Sequence, residues 1–152
     1  MWLTRLWTTK KQTSTRPPST VQFFRQATLH RNAGRFEEAR QHACQALDLA
    51  RAQKLRGYEA QTLCQLAAVH ARASPPDVQQ AEAHYREALM LAETLGMRPL
   101  QAHCHLGLGT LYAKTGQHEQ ARTALSTAIE LYHAMEMQLW LPQAEAALAQ
   151  AK

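Results

Sequence analysis

The chain has 152 residues, the length of one domain, and 45% of them are hydrophobic, with alanine prominent among these. The net charge of +5 is unevenly placed: residues 1–36 hold seven Lys or Arg and no acid, whereas the rest holds ten basic and twelve acidic groups. This balance argues against nucleic-acid binding by the main body of the chain. Three cysteines without close spacing give no disulfide framework and favour a reducing, cytoplasmic setting. No apolar run approaches the ~20 residues of a membrane span.

Residues 1–18 are predicted to be a disordered basic leader. Their composition, rich in Lys, Arg, Ser and Thr and free of acid, favours disorder or a linker. Two alternatives remain open, a short amphipathic turn at a membrane surface and an organelle transit peptide. The first depends on Trp2 and Trp7 beside basic residues, and the second on a composition that contains Arg and Thr and no acid.

From residue 19 onward the pattern predicts helices separated by Gly or Pro. Ser19 and Gln22 form an S-x-x-Q capping box that begins the first helix. Gly57 is expected to separate the second helix from the third, and a loop about two residues longer than the Gly-centred turns is expected at 74–76. The first four predicted helices span about 20–32, 36–53, 58–72 and 77–95. A fifth begins around Pro99, and a sixth spans about 118–135.

A last helix is predicted at 141–151, where it would cover the exposed end of a helical stack. No such cap precedes the first helix. Its outer edge is therefore expected to be apolar and open to an upstream domain or to self-association.

Small residues return at nearly constant steps along the chain. On both the first and the second helix of each pair, the step from one small residue to its counterpart in the next unit is about 40 residues. The positions are Ala27, Ala67 and Gly109 on the first helices, and Ala39, Ala81, Ala121, Ala46, Ala88 and Ala128 on the second. Three units in phase indicate an internal repeat.

The third unit reads Leu108-Gly109-x2-Tyr112, then Gly116, then A-x3-L-x2-A from Ala121. This spacing resembles the tetratricopeptide repeat, a helix–turn–helix unit of about 34 residues. The longer period here, with the phrases at 92–100 and 102–109, resembles the repeats at the C-terminal ends of bacterial signalling ATPases, including those with an adenylate or guanylate cyclase domain. The sequence departs from the family at His105, where Trp is usual.

The resemblance implies an all-α, right-handed α-solenoid of three helical hairpins plus a C-terminal capping helix. The repeat domain would span 19–152, with repeats at about 20–56, 57–98 and 99–138 and the cap at 141–151. Besides the small residues above, the structural positions of the repeats would be Gly34, Tyr112 and Gly116.

No catalytic or cofactor motif is found. Gly107-x-Gly109 lacks the third Gly and the Lys of a phosphate loop. In the run His103-Cys104-His105 the two imidazoles are about 200° apart around a helix, whereas metal ligands on a helix need i and i+3 or i+4 spacing. The sequence therefore predicts no enzyme, no metal and no cofactor.

The resemblance implies protein–protein interaction, in which stacked hairpins form a concave groove that takes a peptide or partner helix. Mapping the groove positions of the family onto this chain gives Arg31, Asn32, Gln61, Arg72, His103 and Lys114 as the principal candidates. Arg31, Arg72 and Lys114 recur about one repeat apart and are predicted to form a ladder for acidic or C-terminal carboxylate groups. The alternative is that they are solvated helix ends, where cations offset the helix dipole.

Two functional interpretations follow. The chain is a stand-alone adaptor, with the basic leader as an attachment, or it is a sensing segment from the C-terminus of a nucleotide-binding signalling ATPase, cyclase or transcriptional regulator.

Overall fold

The structure, a computed structural model, describes residues 19–73 and 75–151, and within them it contains helices and no strand. The all-α prediction is confirmed, whereas the leader predicted at 1–18 lies outside the described residues. The helices are α1 Thr20–Asn32, α2 Phe36–Ala52, α3 Arg56–Arg72, α4 Val78–Leu95, α5 Arg98–Lys114, α6 His118–Ala134 and α7 Leu141–Gln150.

The helices stack in chain order. The closest neighbours are α1 with α2, α3 with α4, and α5 with α6, which form three antiparallel hairpins. Successive hairpins join through α2 against α3 and α4 against α5, and the first helices also contact each other along the stack. This arrangement is the predicted solenoid, in which each hairpin buries its apolar surface on its neighbours.

Small side chains allow the close helix crossings. The repeated alanines of the first and second helices are fully buried, and the α5 glycine at the equivalent position is buried too. A Cβ atom at Gly109 would lie 2.5 Å from the Leu125 Cγ and 3.2 Å from the Leu125 backbone nitrogen, so α5 and α6 touch at this residue. A Cβ atom at Gly107 would overlap the ring of Tyr85, which joins α4 to α5.

The same backbone turn ends five of the described helices. One residue takes a left-handed conformation, and the amide after it closes a bond to a carbonyl five positions back, as from Leu55 N to Ala50 O at 2.8 Å. The residues with positive φ are Gly34, Lys54, Gly96, Gly116 and Glu136.

The expected break at Gly57 is wrong. Lys54, at φ 57°, supplies the left-handed turn, and α3 begins shortly after it, at Arg56. Gly57 therefore lies inside the first turn of α3, where a Cβ atom would meet nothing within 4 Å. Helix ends here are set by the backbone hydrogen bond that closes α2, and that bond holds a lysine in the strained left-handed conformation.

The helix α7 covers one end of the stack. Its inner face places Ala144 against the apolar cluster of α5 and α6, with Ala147 and Leu148 packed beside it. Its outer face carries exposed polar residues, Gln143, Glu145 and Gln150.

The apolar edge expected on α1 is only partly present: Val21 is 39% exposed and Leu29 is exposed as well, but polar side chains lie between them. On α3 the face turned to the preceding hairpin is buried and consists of Thr62, Gln65, Leu66 and Val69. One repeat earlier, α1 has exposed polar side chains at three of these positions, and Leu29, which is 56% exposed, is the apolar exception. The polar positions on α1 are Gln22, Arg25 and Gln26.

Candidate partner-binding groove

The predicted groove residues lie at two opposite ends of the row formed by α1, α3 and α5. Gln61 and His103 are within the first two turns of α3 and α5. Arg31 and Asn32, Arg72 and Lys114 are in the last turns of α1, α3 and α5. Because the three helices are neighbours in the stack, one end of the row is cationic.

Arg31 and Arg72 form the core of the cationic end. Arg31 is half-buried, and its Nε has no hydrogen-bond partner within 19–73 and 75–151. Burial and the positive charge of Arg72 both lower the pKa of Arg31. Two guanidinium groups therefore lie close enough for their charges to repel each other.

Four other arginines are neutralised within the protein. In the part of the chain that the structure describes, Arg35, Arg40, Arg51 and Arg86 are ion-paired with glutamates. In that part the three ladder residues are not, and they share this with the exposed Arg25, Arg56, Arg98 and Arg122.

The third cation of the ladder stands apart. Lys114 and Asn32 are exposed. Lys114 takes the equivalent place one hairpin further than Arg72, but its charge is not among those that act on Arg31. The structure thus brings together two of the three predicted cations.

A pocket of about 370 Å³ lies at the opposite end of the row. Its walls come from the N-terminal ends of α3 and α5 and include both predicted residues of this end. The apolar part of the pocket lining was not predicted from the sequence. The available signal was position, because this part comes from the start of α5 and lies at the same end of the helix as His103. The lining residues are Gln61, Met97, Pro99, Leu100 and His103.

His103 is a fixed wall of this pocket. Its Nδ1 lies 2.8 Å from the hydroxyl oxygen of Tyr132, and its ring meets Trp140 edge-on with centroids 4.6 Å apart. Burial lowers the pKa of His103, so the imidazole is neutral at pH 7. The third hairpin and the segment before α7 therefore hold the imidazole in place.

The run His103-Cys104-His105 is not part of a metal site. Within 19–73 and 75–151, no group of three His, Cys, Asp or Glu is arranged to hold an ion. Cys104 is fully buried, and burial lowers the pKa of His105.

None of the described helices is long and apolar enough to cross a membrane.

The three stacked helical hairpins define a helical-repeat protein. The family model of the tetratricopeptide repeat matches residues 58–134, which cover α4, α5, α6 and nearly all of α3. This match spans half of the chain, and the chain therefore belongs to the tetratricopeptide repeat family. Repeats of this family generally mediate protein–protein interaction. A search of curated proteins found no match.

Proposed function

We propose that this protein is a non-catalytic adaptor that binds an acidic peptide or partner helix along α1, α3 and α5. The observation that carries the proposal is the Arg31–Arg72 couple at the C-terminal ends of α1 and α3, which has no carboxylate partner among the described residues. A bound carboxylate placed beside the two guanidinium groups would offset their mutual repulsion. The planar guanidinium group suits a carboxylate better than an ammonium group does.

The energy of such contacts sets what they do. Exposed ion pairs contribute about 0–1 kcal/mol each. The cationic end is therefore expected to select acidic partners and speed their association, while apolar contacts supply most of the affinity. The pocket beside His103 is the natural place for one apolar side chain of the partner.

The two ends also define a spacing. Gln61 and Arg72 are separated by three turns of α3, which corresponds to a rise of about 16 Å. An extended peptide covers this distance with about five residues. A partner with an acidic group and a bulky apolar residue about five positions apart would engage both ends.

The test compares a groove variant with a matched charge control. The groove variant is Arg31→Glu with Arg72→Glu. The control, Arg25→Glu with Arg122→Glu, makes the same charge change at exposed positions on the outer edge of α1 and on α6. Pools of acidic, neutral and basic fluorescent peptides serve as probes, with anisotropy measured over a range of salt concentrations.

We expect the wild-type chain and the control to prefer the acidic pool. The groove variant should bind it at least tenfold more weakly and with a flatter salt dependence. Circular dichroism melts show whether each variant keeps its fold. Equal binding by the groove variant and the control would refute the cationic end as the binding site.

The alternative origin, as a sensing segment of a bacterial signalling protein, is supported by the long repeat alone. The helices α2 to α6 have 17 or 18 residues each. The period of about 40 residues accordingly exceeds that of the usual repeat. The reading frame upstream of Met1 tests this origin, because a nucleotide-binding domain encoded in the same frame would favour it over the adaptor.

A further inference from the structure

Two pairs of histidines stack across the first two hairpins. The rings of His30 on α1 and His42 on α2 have centroids 5.0 Å apart and planes inclined by 3°. The rings of His70 on α3 and His84 on α4 are 5.4 Å apart and inclined by 15°. Each pair therefore joins the two helices of one hairpin.

The pairs follow the internal repeat. His70 stands one repeat after His30, and His84 one repeat after His42, in register with the buried alanines. The third hairpin has Tyr112 and Ala124 at the equivalent positions, neither of which titrates near neutral pH. The described part of the protein thus contains two hairpins with a histidine pair and one without.

The first pair has one carboxylate within reach. Glu38 Oε2 lies 3.0 Å from His30 Nδ1, and Arg35 approaches the same oxygen at 3.7 Å. On the other ring, the His42 Nδ1 is buried without a hydrogen-bond partner within the described residues. The ring of Phe23 lies beside the His42 ring, with centroids 6.0 Å apart. The first pair thus has a carboxylate beside one ring, and on the other ring a buried nitrogen without a partner among the described residues.

The second pair is more strongly biased towards the neutral form. Burial lowers the pKa of both His70 and His84, and the neighbouring imidazole lowers that of His84 further. The His84 Nδ1 is also buried without a partner among the residues that the structure describes. Charges of both signs face the pair, since Asp77 and Glu87 favour protonation and Arg40 and Arg51 oppose it.

We propose that these paired histidines make the first two hairpins the acid-sensitive part of the stack. Neutral rings pack against each other and tie the two helices of a hairpin together. In acid, a second positive charge in a pair drives the two helices of that hairpin apart. The sign follows from proton binding: the opened state takes up more protons than the packed state, so stability falls as the pH drops below the ordinary histidine pKa of about 6.5.

Hydrogen exchange on the full chain tests this, with rates corrected for the pH dependence of chemical exchange. Between pH 7 and pH 5 we expect protection to fall further in 20–52 and 56–95 than in 98–134, where burial lowers the pKa of His103 and His105 but no two imidazoles stack among the described residues. The opening constant should rise about tenfold per pH unit for each proton that the packed state excludes. The third hairpin, which lacks a pair, is the internal reference.

The matched variants are His42→Phe with His84→Phe, which keep two flat rings but remove one titrating group from each pair, and His133→Phe, which changes an exposed histidine on α6. The double variant should lose most of the pH dependence, and the His133 variant should retain it. Loss of protection that is equal in all three hairpins, or an unchanged pH dependence in the double variant, would overturn the proposal.

Histidine NMR titration of the wild-type chain gives a second measurement if the double variant fails to fold. We expect His70 and His84 to titrate in two steps, with one ring of this pair taking its proton well below pH 6.5. Independent titrations of both rings near 6.5 would refute the proposal.

Discussion

Gly109→Ala tests whether α5 and α6 meet at this glycine. The new Cβ would lie 2.5 Å from the Leu125 Cγ and 2.7 Å from its Cδ2, whereas carbon atoms pack best at about 3.5–4.0 Å. Rotating the leucine does not remove the contact, because the Leu125 backbone nitrogen is 3.2 Å away. The two helices must separate.

Two terms set the magnitude. Overpacking of this kind costs typically about 1–3 kcal/mol. Alanine offsets about 0.8–1.0 kcal/mol of this, because glycine is a poorer helix former. A net loss of roughly 0–2 kcal/mol is therefore expected, and a chain of this length loses about 2–4 °C of melting temperature for each kcal/mol.

Gly57→Ala is the matched control, because this glycine is also helical and its Cβ would meet nothing within 4 Å. Thermal and urea unfolding of both variants should show the control equal to or more stable than the wild type, and the Gly109 variant less stable than the control by about 1–3 kcal/mol. Equal stabilities of the two variants would refute the crossing at Gly109.

Two further predictions concern the turns and the thiols. Lys54→Gly and Glu136→Gly are each expected to raise the free energy of unfolding by up to about 1 kcal/mol, because these residues adopt φ of 57° and 56°. An unchanged urea midpoint in both variants would contradict this. Under native conditions Cys104 is expected to react last of the cysteines with iodoacetamide, since its contact with Cys64 and its burial raise the pKa of the thiol and its side chain has no exposed surface. Peptide mass spectrometry over time measures the order, and early alkylation of Cys104 would contradict it.

The spacing of small residues is enough to predict the hairpins. Ala27, Ala67 and Gly109 are positions where size decides how closely two helices approach, and such positions are visible in a sequence. The boundary predicted at Gly57 is wrong, because glycine is permitted in a left-handed turn without being required there. Lys54 takes that conformation because the hydrogen bond that ends α2 outweighs the backbone strain.

The candidate site is less predictable. Arg31 and Arg72 can be placed at neighbouring positions of the repeat. Whether their charges act on each other depends on how successive hairpins are rotated, which the sequence does not state. The contact of His103 with Tyr132 lies within the third hairpin, and its contact with Trp140 depends on the path of the segment before α7, which the sequence does not state either. The stacked histidines do carry a sequence signal, since they recur in register with the repeated alanines.

The contact between Tyr85 and Gly107 gives the array a fixed order. At the equivalent positions one hairpin earlier, Ala43 stands in place of the tyrosine and Gln65 in place of the glycine. The large and the small residue are therefore exchanged between the two junctions. A second copy of α3 placed after α4 would bring a glutamine side chain onto the tyrosine ring, where even a Cβ atom overlaps. The hairpins look alike, but they are not interchangeable parts, and a shuffled or tandemly duplicated array would need a new residue at each junction.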